Sequence, residues 1–146
     1  MIALACDHGA YALKEKVKTY LLEKGYAVED FGTDSEASCD YPDFGALAAR
    51  AVASGVCERG IVLCTTGIGI SISANKIRGV RCALCTDTLM AELTRRHNDT
   101  NMLAIGAGIT GDMLSLEIVK TWLGTEFEGG RHQRRVDKIM ALEQEA

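Results

Sequence analysis

The residues best placed to do chemistry begin with a glycine-rich run at positions 64–71. It reads Cys-Thr-Thr-Gly-Ile-Gly-Ile-Ser and connects an apolar stretch to what we expect to be the start of a helix. Glycines let the backbone come close to a ligand and turn its N–H groups inward, and a helix N-terminus favours negative charge. The run therefore indicates an anion-binding turn. The alternative is a tight turn that needs a left-handed backbone and binds nothing.

Cys64 is the first residue of this run and the last of the apolar stretch before it. Helix-start dipoles favour the thiolate form, so this side chain would be well placed as a base or a nucleophile. The alternative is that Cys64 is a small buried apolar residue.

The glycine-rich run does not match known nucleotide-binding motifs well. It lacks the Gly-Lys-Ser/Thr of a phosphate-binding Walker loop. It also has Ile72 where a dinucleotide-binding fingerprint has its third glycine, although Asp87 lies at a plausible distance for a ribose contact.

Two histidine-containing pairs, Asp7-His8 and His97-Asn98, could contact a sugar phosphate. An acid and an imidazole after the first apolar stretch could bind sugar hydroxyls and phosphate; the alternative for Asp7-His8 is a helix cap beside a surface histidine. His97-Asn98 follows Arg95 and Arg96 at the end of a helical pattern. The helix dipole accounts for those cations without any ligand, and the position of His97 alone leaves its role open.

A basic segment at 129–135 stands out in an acidic chain. If a helix begins there, Arg131 and Arg135 are four residues apart and share one face. Two neighbouring guanidinium groups repel each other without an anion between them, and phosphate is their natural partner. The alternative is a solvated helix start.

The other cysteines show no pattern of a metal or redox site. Cys82 and Cys85 form a C-x-x-C, but residues three apart on a strand face opposite sides of a sheet. No second pair completes a zinc site, and Cys6, Cys39 and Cys57 have no recognisable spacing. We therefore expect free thiols in a reducing compartment.

An alternation of strands and helices must position these residues. Short apolar or alternating runs predict strands over 2–6, 26–31, 60–64, 80–85 and 102–105. Helical spacing predicts two helices, each with one buried face. The buried face of the first consists of Leu13, Val17, Tyr20 and Leu21, with lysines between them. The buried face of the second consists of Phe44, Leu47, Ala48, Ala51 and Val52. Further helices are expected over 70–76, 88–96, 112–123 and 133–143.

Five successive βα units indicate an α/β fold: a Rossmann-like, doubly wound, five-stranded parallel sheet in three layers, with an extra C-terminal helix. In such a sheet, ligands bind at the carboxyl ends of the strands. The residues at 7–9, 64–69 and 87 should therefore meet at one edge, and a second polar cluster at 95–99 precedes the fifth strand.

The composition limits the classes of protein. The 146 residues, 47% hydrophobic and 25% charged, fit one domain spanning 1–146. Sixteen basic and 20 acidic side chains give a formal net charge of −4, which argues against general nucleic-acid binding. No apolar run approaches the roughly 18 residues of a membrane span, and the first residues lack the pattern of a signal peptide. We therefore expect a cytoplasmic protein with no nucleic-acid or membrane partner.

Taken in order, five motifs make this chain similar to the ribose-5-phosphate isomerase B family of sugar-phosphate isomerases. The resemblance runs almost end to end. The motifs are ACDHGAYALKE at 5–15, DYPDFG at 40–45, LCTTGIGISISANK at 63–76, HNDTNMLAIG at 97–106 and FEGGRHQRRV at 127–136. Any one of them would be weak evidence, whereas five in the same order are specific.

The resemblance implies aldose–ketose isomerisation of a small-molecule sugar phosphate through an enediolate, without metal or cofactor. It implies that Cys64 is the catalytic base that moves a proton between C1 and C2, and that Thr66 and His97 act in opening the sugar ring. The implied substrate contacts are the anion hole at Thr65, Thr66, Gly67, Ile68, Gly69 and Ser71, the hydroxyl contacts of Asp7 and Asn98, and the phosphate contacts of His8, Arg131 and Arg135. It also implies a homodimer or a dimer of dimers, with His97 and Asn98 reaching a site on the neighbouring subunit.

Two residues depart from the family's pattern. Thr65 stands where members usually have glycine, and a β-branched residue narrows the backbone conformations allowed at the anion hole. Gly108 stands where many members have an arginine that can contribute to phosphate binding from the partner subunit.

The expected substrate is ribose 5-phosphate. The alternative substrate is a hexose 6-phosphate, such as allose or galactose 6-phosphate. The rival of another class is a non-catalytic nucleotide- or phosphosugar-binding module, which would need neither Cys64 nor His97.

Overall fold

Five apolar stretches pair side by side as parallel strands in a computed structural model that describes residues 1–145. The strands are β1 (Ile2–Cys6), β2 (Val28–Asp30), β3 (Arg59–Cys64), β4 (Cys82–Leu84) and β5 (Met102–Gly106), in the order β2-β1-β3-β5-β4. The helices are α1 (Tyr11–Glu23), α2 (Tyr41–Ala53), α3 (Ile68–Asn75), α4 (Thr88–Asn98), α5 (Asp112–Leu123) and α6 (Arg131–Ala141). The predicted doubly wound parallel sheet with an extra C-terminal helix is confirmed.

Helices cover both faces of the sheet, which explains why the central strands are apolar throughout. Alternate side chains of β1 face α1, α4 and α5 on one side, and α2 and α3 on the other. Leu4 and Cys6 pack into the first of these layers, and Ala3 and Ala5 into the second. The sixth helix lies outside this sandwich, against α4. No helix within residues 1–145 combines the length and apolar composition needed to cross a membrane.

The edge strands are shorter than the sequence predicts. We expected strands over 26–31 and 80–85, but β2 and β4 contain three residues each. Each is paired on one side only, so its ends have no second neighbour to extend the ladder. Two helices begin earlier than expected: α3 at Ile68 and α6 at Arg131. The earlier start of α6 places Arg131 in its first turn, as the expected pairing with Arg135 requires.

One side chain of α2 lies on a face other than that expected. Leu47, predicted to face the core, is 47% exposed. The buried face of α2 consists instead of Gly45, Ala48, Ala49, Ala51 and Val52. These small residues let the helix approach the sheet and α3 closely, and they leave Leu47 outside the contact.

Lys14, one of the lysines between the apolar residues of α1, is only 2% exposed. Its ammonium lies 2.6 Å from Asp30 Oδ2 at the end of β2 and 2.7 Å from Glu15 Oε1. Burial by itself would lower the pKa of Lys14, but the hydrogen bonds to the two carboxylates outweigh burial and raise it. A buried charge of this kind persists only when it is paired.

The direction of the chain gives the sheet two distinct edges. Cys64 pairs with Gly106 at the edge where the strands end, and Gly60 pairs with Met102 at the edge where they begin. We call these the carboxyl edge and the amino edge. Helix α4 leaves β4 at the carboxyl edge and returns to the amino edge before β5, over 11 residues or about 16 Å.

Candidate active site

The carboxyl edge carries an open cleft of about 480 Å³ at the ends of β1 and β3. Its lining residues are Asp7, Tyr41, Cys64, Thr65, Thr66, Ile68, Gly69 and Ile72. Six of them, from Cys64 onward, come from one stretch of chain that includes the glycine-rich turn. The predicted meeting of this turn with Asp7 at one edge of the sheet is therefore observed.

The turn depends on Gly67, whose φ is 77°. A Cβ at this position would lie 2.5 Å from Leu84 Cδ1 and 2.9 Å from the Gly106 nitrogen, so both the backbone conformation and the space require glycine. In this conformation the Gly67 N–H donates to Cys64 Sγ at 3.1 Å. A backbone N–H aimed at the sulfur stabilises negative charge there, as a base requires.

Two backbone N–H groups at the start of α3 remain available to an anion. Those of Gly69 and Ile70 donate to no acceptor within residues 1–145. The Ile68 N–H donates to Thr66 Oγ1 at 3.2 Å, and the Ser71 hydroxyl donates to the Ile68 carbonyl at 2.7 Å. Thr66 and Ser71 therefore shape this turn, and the anion-binding capacity lies in the backbone.

Asp7 presents a carboxylate to the cleft although it is only 5% exposed. Its Oδ1 accepts the Gly9 N–H at 3.0 Å and caps the short helical turn His8–Ala10. Its Oδ2 accepts no hydrogen bond from within residues 1–145. The cap and the hydroxyl contact expected from the sequence are thus compatible, because each uses a different oxygen.

The two departures from the family's pattern touch each other. A Cβ on Gly108 would lie 3.0 Å from Thr65 Cγ2, and one on Gly9 would lie 2.2 Å from Thr65 Oγ1. The Thr65 side chain therefore fills space that a side chain at position 108 would enter. Asp99 is the one non-glycine residue with positive φ among residues 1–145, so Thr65 has an ordinary backbone conformation that a β-branched residue can adopt.

His8 lies beside the same edge, held by the loop before α2. Its Nδ1 accepts the Cys39 N–H at 3.2 Å, and Cys39 Sγ lies 3.8 Å away. A ring nitrogen that accepts a hydrogen bond carries no proton, so the neutral ring has its proton on Nε2. Nε2–H can then donate to a ligand oxygen, as the predicted phosphate contact requires.

Sequence reasoning assigned no role to Tyr41 or Ile72, yet both line the cleft. The Tyr41 ring lies so close to Gly69 that a Cβ there would come within 2.5 Å of it. The signal was present in the DYPDFG motif, since Pro42 in the first turn of α2 puts Tyr41 at the helix start. Ile68 and Ile72, one turn apart on α3, are 52% and 55% exposed.

The other candidate residues lie at the opposite edge. The backbone oxygen of Asn98 accepts from Arg81 Nε at 3.1 Å, and Arg81 immediately precedes β4. The Asn98 side chain accepts from Thr94 Oγ1 at 3.1 Å. His97 and Asn98 are thus at the amino edge, about 13 Å from the level of Cys64 along four strand steps. Neither lines the Cys64 cleft.

A cluster of charged and aromatic side chains surrounds His97 at the contact of α4 with α6. The His97 ring stacks on that of His132, with centroids 4.3 Å apart and planes inclined by 14°. Glu128 Oε2 lies 3.2 Å from His132 Nε2, and Glu128 Oε1 lies 2.6 Å from Arg96 Nη2. Arg131 and Arg135 are exposed on the same helix as His132.

His97, Glu128 and His132 could suggest a metal site, because ligand atoms of all three lie within 4.8 Å of one another. Their arrangement does not fit one. An imidazole binds a metal in its own plane, and two nearly parallel stacked rings cannot direct their lone pairs at one ion. Arg96 already occupies one oxygen of Glu128. The geometry is that of a stacked pair held by a carboxylate.

All six cysteines are free, as expected. Burial raises the pKa of Cys6, Cys82 and Cys85 to about 12, so these thiols stay protonated at neutral pH. Cys82 and Cys85 have no third ligand group near enough for a metal within residues 1–145. Cys64 is the cysteine that lines the cleft.

Known proteins share both this sequence and this fold. A family model described as Ribose/Galactose Isomerase matches residues 2–139. Ribose-5-phosphate isomerase B of Escherichia coli (strain K12) is 48% identical over 143 residues, which cover 98% of this chain and 96% of that protein.

Solved structures agree with the sequence match. Ribose-5-phosphate isomerase B of Clostridium thermocellum has a TM-score of 0.97 and 53% identity, with 98% of this chain and 97% of that chain covered. Ribose-5-phosphate isomerase B from Mycoplasma genitalium, solved with bound ribulose-5-phosphate, has a TM-score of 0.95 and 39% identity, with 99% and 97% covered. The resemblance drawn from the motifs is confirmed: this chain belongs to the ribose/galactose isomerase family and is an isomerase.

Proposed function

We propose that this chain interconverts ribose 5-phosphate and ribulose 5-phosphate. The observation that carries the proposal is Cys64 Sγ in the cleft, with the Gly67 N–H donated to it at 3.1 Å and open N–H groups of α3 beside it. Relatives of nearly full length are named as isomerases of this substrate. Six free thiols agree with action in the cytoplasm.

The geometry supports proton transfer through an enediolate. Cys64 as thiolate removes the proton from C2 of the open-chain aldose, and the electron pair moves through C1 to the aldehyde oxygen. The backbone N–H groups of Gly69 and Ile70 stabilise the resulting oxyanion, as in other anion holes. The hydroxyl proton then moves from O2 to O1, and the thiol returns its proton to C1, which gives the ketose with no net change in atoms or electrons. No metal or cofactor enters this scheme.

We also propose that the working site is shared between two copies of the chain. The support is the split of the candidate residues: Cys64, Asp7 and His8 belong to the carboxyl edge, whereas His97 and the α6 arginines belong to the amino edge. In a homodimer with two-fold symmetry, the carboxyl edge of each copy would meet the amino edge of the other, which forms two complete sites. The same holds if two such dimers pair into a dimer of dimers. The exposed Ile68 and Ile72 beside the cleft offer apolar surface for such a contact.

In this scheme the second copy supplies ring opening and the phosphate contacts. His97 moves a proton at the ring oxygen of the closed sugar, with Thr66 on the other side of the cleft. Arg131 and Arg135 bind the phosphate together with His8, and Asn98 contacts a sugar hydroxyl. A histidine is suited to proton transfer, and arginines are suited to charge-assisted hydrogen bonds with phosphate.

The rival substrate is a hexose 6-phosphate, and the specific observation behind it is Gly108, which leaves space where many relatives carry an arginine. Thr65 takes up part of that space, which favours the shorter sugar. A non-catalytic binding module would explain the cleft but not a thiol that receives a backbone N–H.

The test is kcat/KM across pentose and hexose phosphates in buffer with EDTA and in deuterated water. We expect ribose 5-phosphate to be preferred, with deuterium from the solvent entering the product. A higher kcat/KM for allose or galactose 6-phosphate would reassign the substrate. Absence of any shift in the aldose–ketose equilibrium would reject isomerisation of these sugars, and loss of activity in EDTA would reject the metal-independent scheme.

A further inference from the structure

His132 is a buried titratable residue to which the proposed mechanism assigns no role. It lies in the first turn of α6 and is 7% exposed. Its ring stacks on His97, at 4.3 Å between centroids and 14° between planes. Stacking at this distance restricts rotation about the side-chain torsions of His97, because a large tilt of its ring would make the two rings clash.

The His132 ring is itself held in place. Its Nε2 lies 3.2 Å from Glu128 Oε2, so the ring and the carboxylate are in polar contact. Glu128 Oε1 in turn accepts from Arg96 Nε at 2.7 Å, and the Glu128 backbone N–H donates to the Arg96 carbonyl at 3.2 Å. Because Arg96 is the chain neighbour of His97, the contacts form a closed loop from α4 to α6 and back.

Burial, together with the neighbouring positive charges, favours the neutral form of His132. Burial lowers the pKa of His132, and the neighbouring charges of His97, Arg131 and Arg135 lower it further, against the opposing effect of Glu128. Two charged imidazoles in contact would repel each other. A neutral His132 therefore places no positive charge against the His97 ring.

We propose that His132 is a positioning residue for His97: held by Glu128 and Arg96, its ring fixes the plane in which His97 presents a nitrogen to the ring oxygen of the sugar phosphate. The proposal deepens the proposed function and rests on it. It predicts that His132 matters for opening a closed sugar and not for the proton transfer at Cys64.

Substrate chemistry separates these two steps. Ribose 5-phosphate closes into a furanose through its C4 hydroxyl, so the ring must be opened first. Ribulose 5-phosphate cannot close, because the C5 oxygen that would form its ring carries the phosphate. Starting from the ketose, the enzyme can release open-chain aldose, which closes in water on its own. A defect in ring opening should therefore slow initial rates from the aldose much more than initial rates from the ketose.

The experiment compares His132→Asn, His132→Phe and Glu128→Gln with wild type, His97→Asn and the control Asp137→Asn. Asp137 is a carboxylate on α6 that accepts one hydrogen bond, from Gln133 at 2.7 Å, away from the stack. We expect His132→Asn to lose about 10–100-fold in kcat/KM on ribose 5-phosphate, part of the 10²–10⁴-fold typical of a proton-transfer group. Initial rates from ribulose 5-phosphate should fall less than about 3-fold, because this reaction does not require ring opening by the enzyme.

The other variants test how the ring acts. His132→Phe keeps a flat ring and should recover part of the loss. Glu128→Gln should shift the pH profile of the aldose reaction, whereas Asp137→Asn should not.

The outcomes separate this proposal from the one beneath it. If His97→Asn keeps full activity on ribose 5-phosphate, the proposed role of His97 itself fails. If His97→Asn loses that activity while the His132 and Glu128 variants keep wild-type rates and pH profiles, His132 does not position His97. Equal losses from aldose and ketose, with a lowered melting temperature, would make His132 a structural residue and overturn the proposal as well.

Discussion

The Cys64 cleft and the His97 cluster are built in different ways. The cleft is formed largely by backbone at the end of a buried strand, where one glycine turn aims N–H groups at a sulfur and at open space. The cluster is formed by side chains of α4, α6 and the segment between α5 and α6, joined by ion pairs whose members are partly exposed. The cleft therefore suits chemistry that needs fixed geometry, whereas the cluster suits recognition of a charged ligand.

Exposure makes the two regions differ in energy as well as in geometry. Arg96 and Glu128 are 39% and 37% exposed in their side chains, and ion pairs at such sites contribute little and weaken with salt. The cleft depends instead on strand register and on a turn that only glycine can form. Substitutions in the cleft should then act on turnover, and substitutions in the cluster mainly on binding and on ring opening.

The largest effect is expected from Cys64→Ala. Removing a positioned proton-transfer group should lower kcat about 10²–10⁴-fold with the fold almost unchanged. The matched control is Cys57→Ala, which removes a buried thiol just before the other end of β3. Steady-state kinetics and circular dichroism of both variants decide the matter. Near-normal turnover of Cys64→Ala would reject the assignment of the base.

The next effect is expected in binding. Arg131→Gln or Arg135→Gln should raise KM for the phosphorylated sugar about 10- to 150-fold, because a charge-assisted contact to phosphate contributes about 1.5–3 kcal/mol. Turnover of a non-phosphorylated sugar should barely change. Arg134→Gln removes the same charge from another face of α6 and serves as the control. Equal losses on phosphorylated and free sugars would show that the two arginines act on structure.

A smaller effect tests whether one active site combines the Cys64 cleft and the His97 cluster of the same chain or of two different chains. The double variant Cys64→Ala/His97→Ala is mixed with an equal amount of wild type and allowed to exchange subunits. If the site is shared, every mixed dimer has one lesion in each site, and activity falls to about one quarter of the all-wild-type value. If each chain contains its own site, about one half remains. Native mass spectrometry, which separates the mixed dimer from the two homodimers by mass, checks that exchange has occurred.

The smallest effect concerns stability and pH. The pKa of His132 is lowered in the folded protein, chiefly by burial, whereas in the unfolded chain it is about 6.5. As the pH falls through about 6.5 the unfolded chain binds a proton that the folded protein does not, so folding stability decreases until the folded pKa is also passed. The loss in urea midpoint between pH 7.5 and pH 5.5 should be smaller for His132→Phe than for wild type. An equal loss in the two proteins would show that His132 does not contribute to this dependence.

Local sequence accounts for most of the fold. The bounds of β1 and α5 agree with the prediction, because an apolar run and an amphipathic run ended by Gly124 are local signals. The lengths of β2 and β4 depended on how many neighbours each strand has, which no local pattern contains. The burial of Lys14 likewise depended on Asp30 reaching it from the end of β2.

The sequence by itself determined the Cys64 turn, because its thiol, its glycines and its helix start are adjacent in the chain and short-range geometry brings them together. Only the tertiary structure decided that His97, Asn98, Arg131 and Arg135 lie at the amino edge, away from that turn. It also decided that His132 stacks on His97. The physical reason is direction: in a parallel sheet each helix must return antiparallel to the strands, so residues at the end of α4 are carried to the edge opposite Cys64.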